Sequence, residues 1–446
     1  MLLLLSRPRR PVTAFLFASA GMLALAGCSD KEPDPAEIGP NPKLPAQASY
    51  FVPPMNVAKV VGWKDGETPK VAAGLKIQAL ATGLSHPRSV YTLPNGDVLA
   101  VESTAPEGEP ITRPKDLIVG WIQALATGGG GGGGKASNRI TLLRDADGDG
   151  VAETREVFLD HLNSPFGVVL VGSDLYVANT DAIVRYPYRT GATRMTEPGT
   201  VLTELPGGPI DHHWTKSLVA SEDGNVLYVG VGSNSNITEN GIEAEENRAA
   251  IWEVERQTGR HRIFAAGLRN PNGLSLEPQT KALWTVVNER DELGPNLVPD
   301  YITSVKEGGF YGWPYSYYGQ NLDPRVMPQR PDLVEKAIVP DYALSSHVAP
   351  LGMTFYNADN LPQPYRGGAF VGEHGSWNRH SFNGYKVVFV PFTDGKPNGS
   401  PQDVVTGFLD DQSQARGRPV GVGVDSKGAL LVADDVGNTI WRIAAQ

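Results

Sequence analysis

From about Leu75 onward the chain repeats one hydrophobic pattern. A polar loop leads to Pro-x-Gly or a variant of it. An apolar run of strand length follows, then a turn, then a second apolar run. The clear copies start at Pro165-Phe166-Gly167, Pro271-Asn272-Gly273, Pro350-Leu351-Gly352 and Pro419-Val420-Gly421. Pro87-Arg88-Ser89 is a degenerate first copy. His213-Trp214-Thr215 stands where the third belongs, because Leu218-Val219-Ala220 and Val226-Leu227-Tyr228-Val229 follow it. Short apolar runs bounded by Gly, Pro, Asp and Asn read as strands rather than helices. Such a unit cannot bury both faces alone, so its copies must stack. Six copies with unequal spacing predict an all-β chain, a six-bladed β-propeller with loop insertions. A sandwich would not require the same loop and strand order six times. The largest insertion, Glu102 to Asn138, holds a helix-like stretch, Lys115 to Ala126, and an unbroken glycine run, Gly128 to Gly134. Such a run cannot offset its ordering entropy, so it is expected to be a surface loop without chemistry.

Composition agrees and narrows the function. Gly 51 and Pro 36 in 446 residues suit a turn-rich fold, and 40% hydrophobic content suits a large core. A net charge of −10 without a basic stripe argues against nucleic acid. The single cysteine excludes an internal disulfide and a Cys-based zinc cage. Its setting is informative. Arg7, Arg9 and Arg10 precede an apolar run, Val12 to Ala26, that is short for a bilayer span. Leu25-Ala26-Gly27-Cys28 then resembles a bacterial lipoprotein signal, with Cys28 as the lipidated residue. Residues 1–28 are therefore expected to be a signal, 29–70 a polar, Pro-rich tether, and 71–446 the propeller. The globular part would be exported and anchored to a cell or outer membrane, facing the periplasm, with the lipid as its only membrane contact.

The residues just before each Pro-x-Gly are His86, Asn163, Asp211-His212-His213, Arg269-Asn270, His347 and Arg416-Gly417-Arg418. Equivalent positions in a propeller fall at one end of the blades, so these should converge on the axis. A rim rich in Arg and His implies an anionic ligand, best one with carboxylates that Arg can hold bidentately. His213 is the candidate base, because a neutral imidazole titrates near working pH. Elsewhere, Asp145, Asp147, Asp149 and Glu156 match the ligand spacing of a calcium loop, with Gly150 at the bend. A solvated Asp-Gly hairpin is the competing reading, and either role would be structural.

Several motifs together resemble the glucose/sorbosone dehydrogenase family, and are closest to its sorbosone-dehydrogenase-like branch. They are His212-His213-Trp214-Thr215-Lys216, Gly232-Ser233-Asn234-Ser235-Asn236, Leu268-Arg269-Asn270-Pro271, Gly294-Pro295-Asn296, Gly309-Phe310-Tyr311-Gly312-Trp313, Gly372-Glu373-His374-Gly375-Ser376-Trp377-Asn378-Arg379 and Arg416-Gly417-Arg418-Pro419. The resemblance implies pyrroloquinoline quinone and Ca²⁺ as cofactors. It implies His213 as catalytic base, with Arg269 and Asn270 facing the quinone oxygens and Arg269 stabilising developing charge. It implies calcium on the backbone carbonyls of Gly294 and Pro295, polarising the quinone. Arg416 and Arg418 would clamp the cofactor, and Lys216, Asn234 and Arg379 would touch it. Lys216 stands where the family usually has Arg, and the acidic cluster after Gly-Pro-Asn is reduced to Asp300. The implied reaction oxidises a sugar or sugar-derived aldehyde or alcohol, passing electrons to an external cytochrome or quinone. Two other classes stay open at this point. One is a metal-dependent sugar lactonase, which needs a carboxylate-lined axis. The other is a non-enzymatic lipoprotein binding an anionic glycan or a protein.

Overall fold

The computed structural model describes residues 34–48, 50, 54–106 and 137–446. The expected signal with Cys28, and the glycine run with its helix-like neighbour, lie outside these residues. The six repeats are six antiparallel sheets set in a ring. The first is Pro87–Thr92, Val98–Glu102, Arg139–Arg144 and Thr154–Leu159. The second is Gly167–Val171, Asp174–Ala178, Ala182–Pro187 and Thr200–Glu204. The third is Leu218–Ala220, Val226–Val231, Ala250–Glu255 and His261–Ala266. The fourth is Asn270–Leu276, Leu283–Asn288, Pro299–Ser304 and Tyr342–Ser346. The fifth takes Pro350–Phe355, Ala369–Glu373, Lys386–Val390 and Gln402–Thr406, with Lys70–Val71 on its outer edge. The sixth takes Pro419–Val424, Leu430–Asp434 and Thr439–Ala445 from the end of the chain, and Leu75–Ala81 from its beginning.

That last pairing closes the ring. Leu75 to Ala81 runs antiparallel to Ala445 to Ile440 along its whole length. Closure of this kind removes the exposed edge that an open array of sheets would present. The first strand of each blade, the one that follows Pro-x-Gly or its variant, is innermost. These six strands line an axial channel of about 360 Å³. Between blades the core is aliphatic and aromatic. Leu99, Leu142, Phe158 and Leu175 bury between the first two blades, and Tyr356, Phe370, Phe389 and Trp441 between the last two. Each such side chain contributes on the order of 1.5–3 kcal/mol when fully buried. At the axis Phe166, Leu351 and Val420 pack together. Among the described residues no helix is long and apolar enough to cross a membrane.

One expectation is corrected. Residues 29–70 were read as a tether, but their described part is a strap bound to the propeller. Gly39 and Ala343 exchange backbone hydrogen bonds, each 2.9 Å. Ala48 N donates to Leu293 O at 2.8 Å, Asn56 N to Trp377 O at 2.9 Å and Val61 N to Ala415 O at 2.8 Å. Trp63 Nε1 donates to Asp434 Oδ2 at 2.7 Å. Its ring packs edge-on against Phe408 and Trp441, with centroids 5.9 and 5.5 Å away. The proline and charge content suggested a solvated chain. Leu44, Ala58 and Trp63 are instead apolar anchors, and extended backbone can pair without forming a sheet.

Trp63→Ala is expected to lose this hydrogen bond and both ring contacts. The ring is only partly buried, so the cost should be about 2–3 kcal/mol, below the usual range for a buried aromatic. Thermal unfolding should show a Tm several degrees lower. An unchanged Tm would mean that the strap adds nothing to the ring.

Candidate active site

The ends of the third, fourth and fifth blades meet around a cavity of about 240 Å³. His212 and His213 enter it from the loop before the third blade. Arg269 and Asn270 open the fourth blade's first strand, and Asn288 and Glu289 end its second. Asp291 and Asp300 come from the following loop and the next strand. His347, Ala349 and Trp377 belong to the fifth-blade side. The prediction that residues before Pro-x-Gly converge therefore holds for His213, Arg269, Asn270 and His347. It does not hold for Asn163, which is exposed and bonded to Asp181, or for Arg416, which pairs with Glu67 of the strap at 3.6 Å.

Arg269 is only 3% exposed, and each arm of its guanidinium meets an acceptor. Nε donates to Asn236 O at 3.2 Å. Nη1 donates to Glu289 O at 2.8 Å and Asn288 O at 3.4 Å. Nη2 donates to Asn236 Oδ1 at 3.1 Å and lies 3.6 Å from Asp291 Oδ2. Four of the five N–H groups of the guanidinium are thus engaged in hydrogen bonds, and Asp291 lies at ion-pair distance from Nη2. Asn270 differs, because its buried Oδ1 has no hydrogen-bond partner.

His213 Nδ1 lies 2.8 Å from Ser233 O and 3.0 Å from Ser233 Oγ. A carbonyl only accepts, so Nδ1 carries the hydrogen and Nε2 is the basic nitrogen. Burial, then the charges of Arg269 and His212, hold its pKa well below the usual histidine value. His213 is therefore unprotonated at neutral pH.

His347 is tuned the other way. Nδ1 lies 3.2 Å from Asp291 Oδ1, and Nε2 lies 3.1 Å from Gly294 O. Burial opposes its charge, but the hydrogen bond and charge of Asp291 outweigh burial and raise its pKa. Asp291 responds in kind. Burial would raise it, yet His347 and Arg269 bring it down to about 2. Asp300 accepts from Glu289 N and Ala349 N, both at 2.8 Å, and burial pushes it up to about 7.

The remaining expected residues surround this cavity rather than line it. Lys216 is fully buried, donates to Trp214 O at 3.0 Å, and burial lowers its pKa to about 7. Asn234 donates to Ala244 O. Arg418 donates to Tyr385 OH at 3.1 Å and stacks over that ring at 5.1 Å. Arg379 donates to Pro295 O at 2.8 Å and Ser346 Oγ at 2.7 Å. The carbonyls expected to hold calcium are thus already hydrogen-bonded, Gly294 by His347 and Pro295 by Arg379 and Ser346. The rim is also not uniformly cationic. Glu289, Asp291 and Asp300 share it with Arg269 and His347. On the far side Asp435 ties His374 and Arg88 together.

The outer acidic loop is partly as expected. Ligand oxygens of Asp145, Asp147 and Asp149 lie within 4.8 Å of one another, but the fourth carboxylate is Glu153. Glu156 sits on the next strand, paired with Leu142 and exposed. The turn is tighter than the loop assumed from spacing, and Lys427 Nζ binds Asp145 Oδ2 at 3.2 Å.

Asn236, Asn288, Glu289, Asp291 and Trp377 were given no role from the sequence, although Asn236 and Trp377 lie within its motifs. Asn236 ends the Gly-Ser-Asn-Ser-Asn motif, a usable signal.

The fold is a six-bladed propeller with this cavity at one end of its third to fifth blades. Residues 172–376 match the family model described as Glucose / Sorbosone dehydrogenase, and residues 333–446 match the TrAA12-like model. An uncharacterized protein of Borreliella burgdorferi is 29% identical over 295 residues, 63% of this chain and 76% of that one. The aldose sugar dehydrogenase YliI of Escherichia coli is 26% identical over 188 residues, 38% of this chain and 48% of its own length. The match thus spans about half of that enzyme. The holo form of the pyranose dehydrogenase PQQ domain from Coprinopsis cinerea superposes with a TM-score of 0.67 at 20% identity, covering 87% of this chain and 100% of that one. At that identity the likeness establishes the fold.

Gly232 leaves the space between base and amide. A Cβ there would stand 2.5 Å from His213 Cβ and 2.6 Å from Asn270 Oδ1. Gly232→Ala is expected to push both apart, destabilise by about 1–3 kcal/mol, and weaken ligand binding. Unchanged stability and binding would show that the cradle is not needed.

Proposed function

We propose that this chain is a pyrroloquinoline quinone-dependent dehydrogenase of a sugar or a sugar-derived aldehyde or alcohol, of the aldose or L-sorbosone kind. One observation carries the reading: a partly buried, unprotonated His213 faces a cavity that also holds the unpartnered Asn270 Oδ1 and the charge of Arg269. The match to the family model and the similarity to sugar and pyranose dehydrogenases support it.

The residues fit a flat, polar organic cofactor. Asn270 and the Trp377 side of the cavity would hold it. Arg418, whose buried Nε has no partner, would take a carboxylate. When bound, the quinone supplies a ring that accepts two electrons with a hydride. The chain does the rest. His213 Nε2 takes the proton of the substrate hydroxyl, and Ser233 keeps the ring in the required tautomer. Arg269 adds positive charge beside the reacting groups without reorganising, because its donors are already fixed. Calcium beside the quinone would be held by the carbonyls of Gly294 and Pro295, which already accept hydrogen bonds from His347 and from Arg379 and Ser346, and no step is routed through it. An external cytochrome or quinone as acceptor, and a lipid anchor at Cys28 on an exported chain, complete the proposal.

The test is titration of the apoprotein with the quinone, then a panel of aldoses and aldehydes with an artificial acceptor. No binding of the quinone would sink the proposal. His213→Gln should lower kcat by about 10²–10⁴ while quinone affinity stays within about threefold. The pH profile gives a second check. A base works above its pKa and fails as pH falls through it. Since that of His213 is depressed, the acid limb of kcat/KM should lie well below 6.5. An acid limb at or above 6.5 would remove His213 from the role.

A further inference from the structure

We infer that Arg88 is a further ligand-binding residue of the site and that, with Arg418, it holds a carboxylate of the ligand beside the axis. Arg88 takes the place that the resemblance gave to Arg416, and the identity of the ligand rests on the dehydrogenase reading above. Arg88 follows Pro87 at the start of the first blade's innermost strand. Phe166, Leu351 and Val420 follow the prolines of their own blades and pack together at the axis. Trp214, next to His213, joins Arg88 to that plug. Its ring meets Phe166 edge-on with centroids 6.3 Å apart, and the Arg88 guanidinium lies 5.5 Å from its centroid. Arg88 therefore stands at the same end of the ring as the cavity, beside the loop that carries the base.

The donors of Arg88 are only half used. Nη1 donates to Asp435 Oδ2 at 2.5 Å. Nε is buried without a partner, and Nη2 makes no hydrogen bond with the described residues. Nε and Nη2 form the edge of a guanidinium that meets a carboxylate bidentately. Arg144 uses the same edge in this protein, where Nε and Nη2 donate to Asp97 at 2.7 and 2.8 Å. The ion pair with Asp435 and the face of Trp214 hold the Arg88 plane, so its open edge is set in advance. Arg418 also keeps a buried Nε without a partner, while its Nη2 donates to Tyr385 OH. Asp435 lies between the two, since its N donates to Arg418 O at 3.3 Å. Among the described residues it is the one carboxylate paired with either guanidinium, and it is shared with His374 Nε2 at 3.0 Å. Two permanent cations thus divide one carboxylate and keep donors to spare. A buried donor without an acceptor is costly, and a carboxylate on the ligand would satisfy both. Arg416 has no such donors to offer here, because it turns to Glu67 of the strap at 3.6 Å.

The experiment titrates the full chain, Arg88→Lys and Arg416→Gln with pyrroloquinoline quinone, following tryptophan fluorescence. Each titration is repeated with the methyl ester of the quinone, which keeps the ring and removes the carboxylate charge. Arg88→Lys keeps a cation beside Asp435 but loses the two-donor edge. It should weaken binding of the acid about tenfold and binding of the ester less than about twofold. Arg416→Gln should change binding of the acid less than about twofold. Unchanged binding of the acid by Arg88→Lys would overturn the inference and leave the dehydrogenase reading intact. Equal weakening toward acid and ester would do the same, since it would mark a general disturbance of the site. Tenfold weakening by Arg416→Gln would return the carboxylate to Arg416 and also overturn it. No binding of the acid by the unaltered chain would overturn the dehydrogenase reading, and this inference with it.

Discussion

The buried guanidinium of Arg269 is the contact on which the site depends. It joins the end of the third blade's second strand, through Asn236, to the end of the fourth blade's second strand, through Asn288 and Glu289. Removing it would take a donor from the Glu289 and Asn236 carbonyls and the nearest cation from Asp291 Oδ2, and a buried acceptor left without a donor costs more than its hydrogen bond contributes. Its charge then propagates. It helps keep Asp291 ionised, Asp291 orients and charges His347, and His347 fastens Gly294 O. One cation thereby fixes a path of alternating charge across half of the cavity wall.

The propeller makes such a path affordable because its ring is closed. The outer strand of the last blade comes from the start of the chain, so no blade can slide without breaking that pairing. The strap works on the same face. It bonds to Leu293 beside the Gly294 carbonyl, to Trp377 at the cavity and to Ala415 beside Arg416. A segment that would otherwise be a linker therefore braces three of the loops that carry site residues.

The fold was legible because a propeller repeats its signal. Pro-x-Gly followed by an apolar run marks each inner strand, and His213, Arg269, Asn270 and His347 could be found by their place before it. The partners of those residues were not legible. His347 meets a carbonyl 53 residues away and Arg379 one 84 residues away. Backbone acceptors leave no trace in residue type, so the hydrogen bonds on Gly294 O and Pro295 O could not be read from the chain. The strap was missed because scattered prolines dominated its composition while one tryptophan anchored it. Glu156 was chosen over Glu153 because the spacing assumed a longer loop than the hairpin allows.

Two histidines across one small cavity are driven apart in protonation by their neighbours alone. His213 is partly buried, faces Arg269 and His212, and donates only to Ser233, so the neutral ring is favoured. His347 is more deeply buried but has a carboxylate on one nitrogen and a carbonyl on the other, so the charged ring is favoured. Burial pushes both the same way, and only the sign of the adjacent charge separates them. A site that must remove a proton and also face a group gaining negative charge needs one of each. Both are set before any ligand enters. Arg269 serves both sides, since the same guanidinium disfavours charge on His213 and steadies the carboxylate that favours it on His347.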